Sequence, residues 1–242
     1  MTAALAVETE DEDDALLRLT IHFDRRRQVS DQVYEALRKA IISLRLPPGR
    51  LISENRICRQ IGVSRTPVRS AITRLVEDEL IEVFPQKGSL VAPIKLSAVR
   101  NNHFIRKALE IAVLRRASEA WTPELAARSR QILTDEAAAL ADGDLERFHE
   151  LDEEFHRAFC SAADLGGVWS TIQIAKARVD RVHRLASGAG RLPLVIAEHG
   201  AILDALDGGD REQAEERLDY HLERAPAIME TLIGSHEKYF VE

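Results

Sequence analysis

The sequence predicts a mainly α-helical protein: an N-terminal winged helix-turn-helix followed by a C-terminal all-α helical bundle. Three observations predict it. Apolar residues recur at helical spacing through most of the chain, strand character is confined to one short stretch, and charge divides sharply along the sequence. Residues 25–95 carry 14 Lys/Arg against 7 Asp/Glu, whereas residues 1–24 carry 1 against 7 and residues 96–242 carry 18 against 26. A basic module on a chain of net charge −7 is the electrostatic footprint of a domain that meets phosphates, and the acidic total argues against sequence-blind coating of DNA.

Residues 1–27 hold the run Glu8-Thr9-Glu10-Asp11-Glu12-Asp13-Asp14 and read as an acidic, disordered tail. Val33, Leu37, Ala40, Ile41 and Leu44 then mark an amphipathic helix, closed by the Pro47-Pro48-Gly49 turn. Ser53 is placed to cap a second, short helix that runs through Ile57, Cys58 and Ile61 to Gly62. Ser64 is placed to cap a third, and Pro67 suits its first turn, where no amide hydrogen is needed. In that helix Val68, Ile72 and Leu75 face inward, which leaves Arg65, Thr66, Arg69 and Arg74 facing outward. Leu80-Ile81-Glu82-Val83-Phe84 and Ser89-Leu90-Val91-Ala92 read as two strands joined by Pro85-Gln86-Lys87-Gly88. Exposed arginines on a helix are most often a solvated face. Three helices and a basic-tipped hairpin in this order instead make residues 28–94 a winged helix-turn-helix whose third helix enters a DNA major groove.

Residues 95–242 read as a separate helical domain. Periodicity places helices near 97–121, 123–141, 144–162, 167–186, 192–206 and 211–234. The breaks at Ala141-Asp142-Gly143-Asp144 and Asp207-Gly208-Gly209-Asp210 pair a glycine stop with an aspartate N-cap, while Pro226 should kink or split the last helix. The link from Pro93 to Arg100 is short, which constrains how the domains are joined. No apolar run reaches membrane-spanning length and the start lacks a signal-peptide pattern, so a cytoplasmic protein is expected. Cys58 and Cys160 fall in different domains and read as core residues of a reducing compartment.

A second constellation lies in this helical half. Asp152 and His156 are four apart and share a helix face bordered by Phe148, Phe155 and Phe159. His199 sits among Val195, Ile196, Ile202 and Leu203, and His221 among Leu218, Leu222 and Ala225. Three helices thus send imidazole or carboxylate into apolar stripes, and a divalent transition metal would satisfy all four groups together. Ordinary hydrogen-bonded core histidines are the competing reading, and His149, one turn before Asp152, competes for a place in the set.

The run Pro47-Pro48-Gly49, Ser53-Glu54, Gly62-Val63-Ser64-Arg65-Thr66-Pro67-Val68-Arg69, Leu75, Lys87-Gly88 and Val91 resembles the DNA-binding domain of GntR-family bacterial transcription regulators. The resemblance implies that Ser64, Arg65, Thr66 and Arg69 contact bases and phosphates, and that Lys87 and Gly88 form a minor-groove wing tip. The family usually has glycine near Leu44, and Arg followed by Glu where this chain has Asn55-Arg56, so either Arg56 substitutes for a DNA-holding arginine or the operator contact differs. Asp152-Glu153-Glu154-Phe155-His156, Glu198-His199 and Tyr220-His221-Leu222, with Arg106-Lys107-Ala108-Leu109-Glu110, resemble the FCD-type ligand-binding domain of the FadR subfamily in its metal-containing branch. That resemblance implies zinc or nickel on Asp152, His156, His199 and His221, and a small organic acid bound beside it. Arg106 would pair with the effector carboxylate, or else with Glu110, and Arg178, Arg181 and Trp169 are further effector candidates.

The expected function is a ligand-responsive repressor that binds a pseudo-palindromic double-stranded operator as a homodimer. Two alternatives stand beside it: a metal-dependent enzyme carrying a DNA-binding module, and a direct metal sensor. Glu153 and Glu154 are the conceivable bases of an enzyme, but both lie off the Asp152/His156 face.

Overall fold

The computed structural model describes residues 19–85, 88–186 and 190–242 of the chain. It divides into two compact units, Met1–Leu96 with His236–Glu242, and Ser97–Ser235.

In the first unit, α1 (Val29–Ile42), α2 (Glu54–Ile61) and α3 (Arg65–Glu77) pack around Val33, Leu37, Ile41, Ile57, Val68 and Leu75. The Ser53 hydroxyl accepts from the Arg56 amide at the start of α2, as its spacing predicts. Gly62 ends α2 with φ of 69°, a left-handed turn that sends the chain sharply into α3. Ser64 occupies the N-cap position of α3, but its side chain makes no cap hydrogen bond. α1 stops two residues short of Leu44, which takes φ of 60°. A glycine-type conformation is therefore filled by leucine, at a cost of about 1–2 kcal/mol. The packing of buried Leu46 just beyond the turn offsets it.

Two strands, β2 (Ile81–Phe84) and β3 (Gly88–Val91), form the expected antiparallel hairpin, with Ile81 opposite Val91 and Phe84 opposite Gly88. β1 (Leu51–Ile52) adds to the far side of β3, in the order β1-β3-β2. The acidic tail is shorter than the 1–27 expected. Residues 1–18 lie outside the described residues, but Leu19, Ile21 and Phe23 alternate onto the core of this unit, and Gln60 Nε2 donates to the Leu19 carbonyl.

The second unit holds α4 (Leu96–Ser118), whose first residue still belongs to the first unit, then α5 (Pro123–Ala141), α6 (Leu145–Ala162), α7 (Val168–Ala186), α8 (Leu192–Asp207) and α9 (Arg211–Ser235). Thr122 and Asp144 cap α5 and α6 through side-chain bonds to the Leu125 and Arg147 amides, and Asp210 bonds the Gln213 amide at the start of α9. α9 continues as one helix through position 226, so proline does not split it. The shared core contains Leu114, Phe148, Phe155, Ile172, Ile202 and Leu218.

After α9 the chain returns to the first unit. β5 (Phe240–Val241) pairs in parallel with β4 (Ile94–Lys95), Ile94 opposite Phe240. The helical domain expected over 95–242 therefore gives up its last seven residues, His236–Glu242, to the DNA-binding unit. Phe240 is buried there, and its burial drives the return.

Gly62→Ala tests the α2–α3 turn. The added Cβ would meet nothing within 4 Å, so only the left-handed backbone is penalised. The variant should lose about 1 kcal/mol, measured as a lower denaturant midpoint with an unchanged slope.

Candidate metal centre and nucleic-acid interface

The centre is assembled by three helices. α6 turns Phe148, Leu151, Asp152, Phe155, His156 and Phe159 inward, so that Asp152 and His156 project from adjacent turns of the buried face. α8 contributes His199, which is fully buried, and α9 contributes His221. Phe155 stacks on the His199 ring with centroids 3.9 Å apart, fixing its plane. One donor atom from each of Asp152, His156, His199 and His221 lies within 4.8 Å of every other. Asp152 Oδ1 is 3.8 Å from His199 Nε2 and 4.0 Å from His156 Nε2. Donors bound at about 2.1 Å in a tetrahedral set lie about 3.4 Å apart, so the most widely separated of these donors would have to close by up to about 1.4 Å on binding.

Each histidine has its own outer carboxylate. His156 Nδ1 is 2.5 Å from Glu110 Oε2, His199 Nδ1 is 3.1 Å from Glu136 Oε2, and His221 Nδ1 is 2.8 Å from Glu198 Oε2. At His199 and His221 this contact is a hydrogen bond; a carboxylate accepts, so there Nδ1 carries the hydrogen and Nε2 presents a lone pair, whereas His156 Nδ1 lies close to Glu110 without hydrogen-bond geometry. His199 Nε2 is buried and has no hydrogen-bond partner. Arg106 bonds Glu110 through Nε at 2.6 Å and brings Nη2 to 3.3 Å from His156 Nε2. Lys176 Nζ lies 3.1 Å from Asp152 Oδ2 and bonds both oxygens of Asp180 at 2.8 and 2.9 Å. Arg191 grips Glu198 with two nitrogens, at 2.7 and 2.5 Å.

Around this point five carboxylates (Glu110, Glu136, Asp152, Asp180 and Glu198) face three cations (Arg106, Lys176 and Arg191), a formal charge of −2 with the histidines neutral. An excess of −2 and an orphaned imidazole nitrogen are what a divalent cation would satisfy; the cluster fits a metal site.

Burial opposes ionisation of Asp152, but the neighbouring cations, Lys176 foremost and then Arg106, hold the carboxyl well below its usual range. Burial also opposes the charge on Glu110, and Arg106 and His156 more than reverse it. His221 is pushed down to about 3 by burial, against the pull of Glu198. It is therefore neutral at pH 7, as a ligand must be.

Beside Asp152 and His221 lies a pocket lined also by Arg106, His149, His183 and Arg191. The structure brings Arg106 there, and Arg106 also makes the alternative pair with Glu110. The other effector candidates, Trp169, Arg178 and Arg181, do not line this pocket. Trp169 packs into the apolar core, Arg181 is buried and its pKa lowered to about 10 by desolvation, and Arg178 is half-buried. For Arg178 and Arg181 the reason is helical phase: Lys176, Asp180 and His183 take the i, i+4, i+7 stripe of α7, which carries the polar contacts of the centre, whereas Trp169 shares that phase but lies two turns nearer the start of the helix. His149 lines the pocket without joining the donor set. Glu136, Glu198, Lys176, Asp180 and Arg191 were not singled out from sequence. Their partners lie on other helices or across a turn.

On the first unit, α3 exposes Ser64, Arg65, Thr66 and Arg69 around its N-terminus. Arg69 Nη2 lies 3.3 Å from Glu54 Oε2, and Arg56 is half-buried on α2. Arg74 is not a free outward cation: it pairs with Asp31 at 2.6 Å and lies 4.0 Å over the Tyr34 ring. Gly88 starts β3 with φ of 93°, a conformation that favours glycine at the wing. Lys87 lies outside the described residues.

A basic winged helix joined to a helical bundle with a buried ionic centre defines a two-domain DNA-binding regulator. Residues 29–91 match the bacterial regulatory proteins of the gntR family, and residues 103–224 match the FCD domain. The chain belongs to the GntR family of transcription regulators and carries an FCD domain. The HTH-type transcriptional repressor RspR of Escherichia coli (strain K12) is 34% identical over 215 residues, which are 88% of this chain and 94% of that protein. The crystal structure of a putative transcriptional regulator GntR from Rhodococcus sp. RHA1 superposes with a TM-score of 0.68 at 26% identity, covering 85% of this chain and 97% of that one. E. coli McbR/YncC shares the fold, with a TM-score of 0.74 at 24% identity over 85% of this chain and 98% of that one. The family, RspR and the Rhodococcus protein are regulators, and nothing in the comparisons supports the enzyme alternative.

The low pKa of His221 has a consequence for stability. The unfolded chain takes up this proton near the ordinary value of 6.5, and the folded chain only near 3. Stability is therefore fully present above about pH 6.5 and is lost as pH falls towards 3. Denaturant titration of metal-free protein should show His221→Asn losing about 1 kcal/mol less than wild type between pH 6.5 and 5.5. Equal losses would contradict a neutral, buried His221.

Proposed function

We propose that this regulator is a homodimeric repressor whose hold on a pseudo-palindromic operator is set by a small organic acid bound beside a metal ion in the helical domain. The observation that carries the proposal is the convergence of Asp152, His156, His199 and His221 within one buried, net-anionic cluster. Asp152 and the three imidazole Nε2 atoms would hold the ion. The mixture of one oxygen and three nitrogens suits zinc or nickel. Once bound, the ion would supply a Lewis-acidic point for a carboxylate. Arg106, which lines the adjoining pocket, would pair with that carboxylate through its guanidinium. Glu136 and Glu198 hold the imidazoles of His199 and His221 in the ligating tautomer.

Operator contact falls to Arg65, Thr66 and Arg69 on α3, with Ser64, Arg56, Lys87 and Gly88 around them. The hydroxyl of Ser64 is not used to cap its own helix, which leaves it for a phosphate or base edge. Effector binding would favour one arrangement of the helical domain over another and so shift the population of DNA-competent dimers. The repressor assignment follows RspR, which is a transcriptional repressor.

Two measurements test this. Elemental analysis of purified protein should find about one zinc or nickel per chain, reduced to background in His199→Ala. Protein that holds no metal and takes up neither ion refutes the site. Against operator fragments selected from genomic DNA, Arg65→Ala with Arg69→Ala should abolish specific retention and reduce the salt slope of binding by about 2, roughly one per phosphate contact. An unchanged footprint would reassign the reading helix. If chelation alone toggles operator binding and organic acids have no effect, the ion itself is the signal.

A further inference from the structure

The metal reading gives no task to Lys176, the buried cation that touches a proposed ligand. Lys176 is 3% exposed, in the interior of a helical bundle. A buried ammonium adds little stability beyond what a well-packed apolar chain would give. Its contacts point to a different role. Nζ lies 3.1 Å from Asp152 Oδ2 and is anchored from behind by both oxygens of Asp180, at 2.8 and 2.9 Å. The other oxygen of Asp152, Oδ1, is the one turned to the histidines, 3.8 Å from His199 Nε2 and 4.0 Å from His156 Nε2.

We propose that Lys176 is a positioning residue that restricts Asp152 to one ligating oxygen and thereby sets the metal preference of the centre. Asp152 has two equivalent oxygens, and either or both can bind an ion. With Oδ2 committed to Lys176, only Oδ1 is available, and the donor set is limited to three imidazole nitrogens and one oxygen. Such a set suits zinc-like ions in low coordination number. Release of Oδ2 would allow a bidentate carboxylate, which favours larger, oxygen-seeking cations. Asp180 fixes the ammonium and so acts through Lys176. Arg106 is the other cation beside the cluster, but its Nη2 is directed at His156 Nε2 rather than at Asp152 Oδ2.

The inference rests on the metal reading, and the experiment separates the two. Full-length protein is stripped of metal and titrated with Zn²⁺ against a chromophoric chelator, and with Co²⁺ by visible absorption. The comparison is between wild type, Asp180→Asn, and Lys176→Met combined with Asp180→Asn, which removes a buried ion pair together and leaves Asp180 no unpaired charge. Asp180→Asn keeps the ammonium on Asp152 and should bind Zn²⁺ within about threefold of wild type. The double variant should bind Zn²⁺ about 10–100-fold more weakly, the range found for lost outer partners of a ligand. Its Co²⁺ bands should fall in intensity, as expected for a higher coordination number. A folded double variant with wild-type affinity and spectrum overturns the proposal. Tighter binding overturns it as well, because the ammonium would then be only a repelling charge. If the double variant does not fold, Lys176→Leu combined with Asp180→Asn, which likewise removes the donor to Oδ2 without stranding a charge on position 180, is read by the same criteria. Wild-type protein that binds neither ion would refute the metal reading itself, and this inference with it.

Discussion

Burying a carboxylate without compensation costs several kcal/mol, and the helical unit buries or half-buries five around a single point. That arrangement constrains everything near it. Each carboxylate is met by a cation or an imidazole from another part of the bundle: Glu110 of α4 by His156 of α6, Glu136 of α5 by His199 of α8, and Glu198 of α8 by His221 of α9. The six helices are therefore registered by polar contacts as much as by the apolar residues around them. A shift of one helix by a turn would break a pair and strand a charge. Hydrophobic packing alone, with its tolerance for repacking, does not impose that register.

The DNA-binding unit solves a different problem. Its reading helix must keep cations near its N-terminus exposed while the rest of the helix stays rigidly placed. Its second half does the anchoring. Arg74 reaches Asp31 and the Tyr34 ring on α1, and the Tyr34 hydroxyl donates to Asp78 at 2.5 Å. Burial and the bond to Asp78 push Tyr34 up to about 12, so the phenol stays a donor across the accessible pH range. One end of the helix holds, and the other is left for the nucleic acid.

Much of this was legible in the chain. The 3.6-residue recurrence gave all the long helices to within a few residues. The side chains of Ser53, Asp144 and Asp210 announced helix starts where they do cap. Asp152 and His156 stood out because an i, i+4 pair in an aromatic stripe has no surface explanation. What stayed hidden was tertiary in origin. Glu136 looks like any helical glutamate until His199 is brought against it from another helix, and Lys176 like any solvated lysine until two aspartates enclose it. The strands of two residues at Leu51–Ile52, Ile94–Lys95 and Phe240–Val241 are too short for alternation to register. Leu44 carries no sign of the left-handed turn it makes, because that conformation is imposed by the chain on either side of it.

The rung between Ile94–Lys95 and Phe240–Val241 makes the helical unit a closed excursion of the chain. Parallel strands need a crossover, and here the crossover is the entire bundle. Drawing together the ends of a flexible segment of that length would cost about 4 kcal/mol in loop entropy alone. Two residue pairs cannot offset that by themselves. The bundle must first have folded so as to deliver the start of α4 and the end of α9 to one place. The C-terminal strand therefore leans on the bundle: its two residue pairs form at least entropic cost once the folded helices already hold the two ends of the excursion near one another.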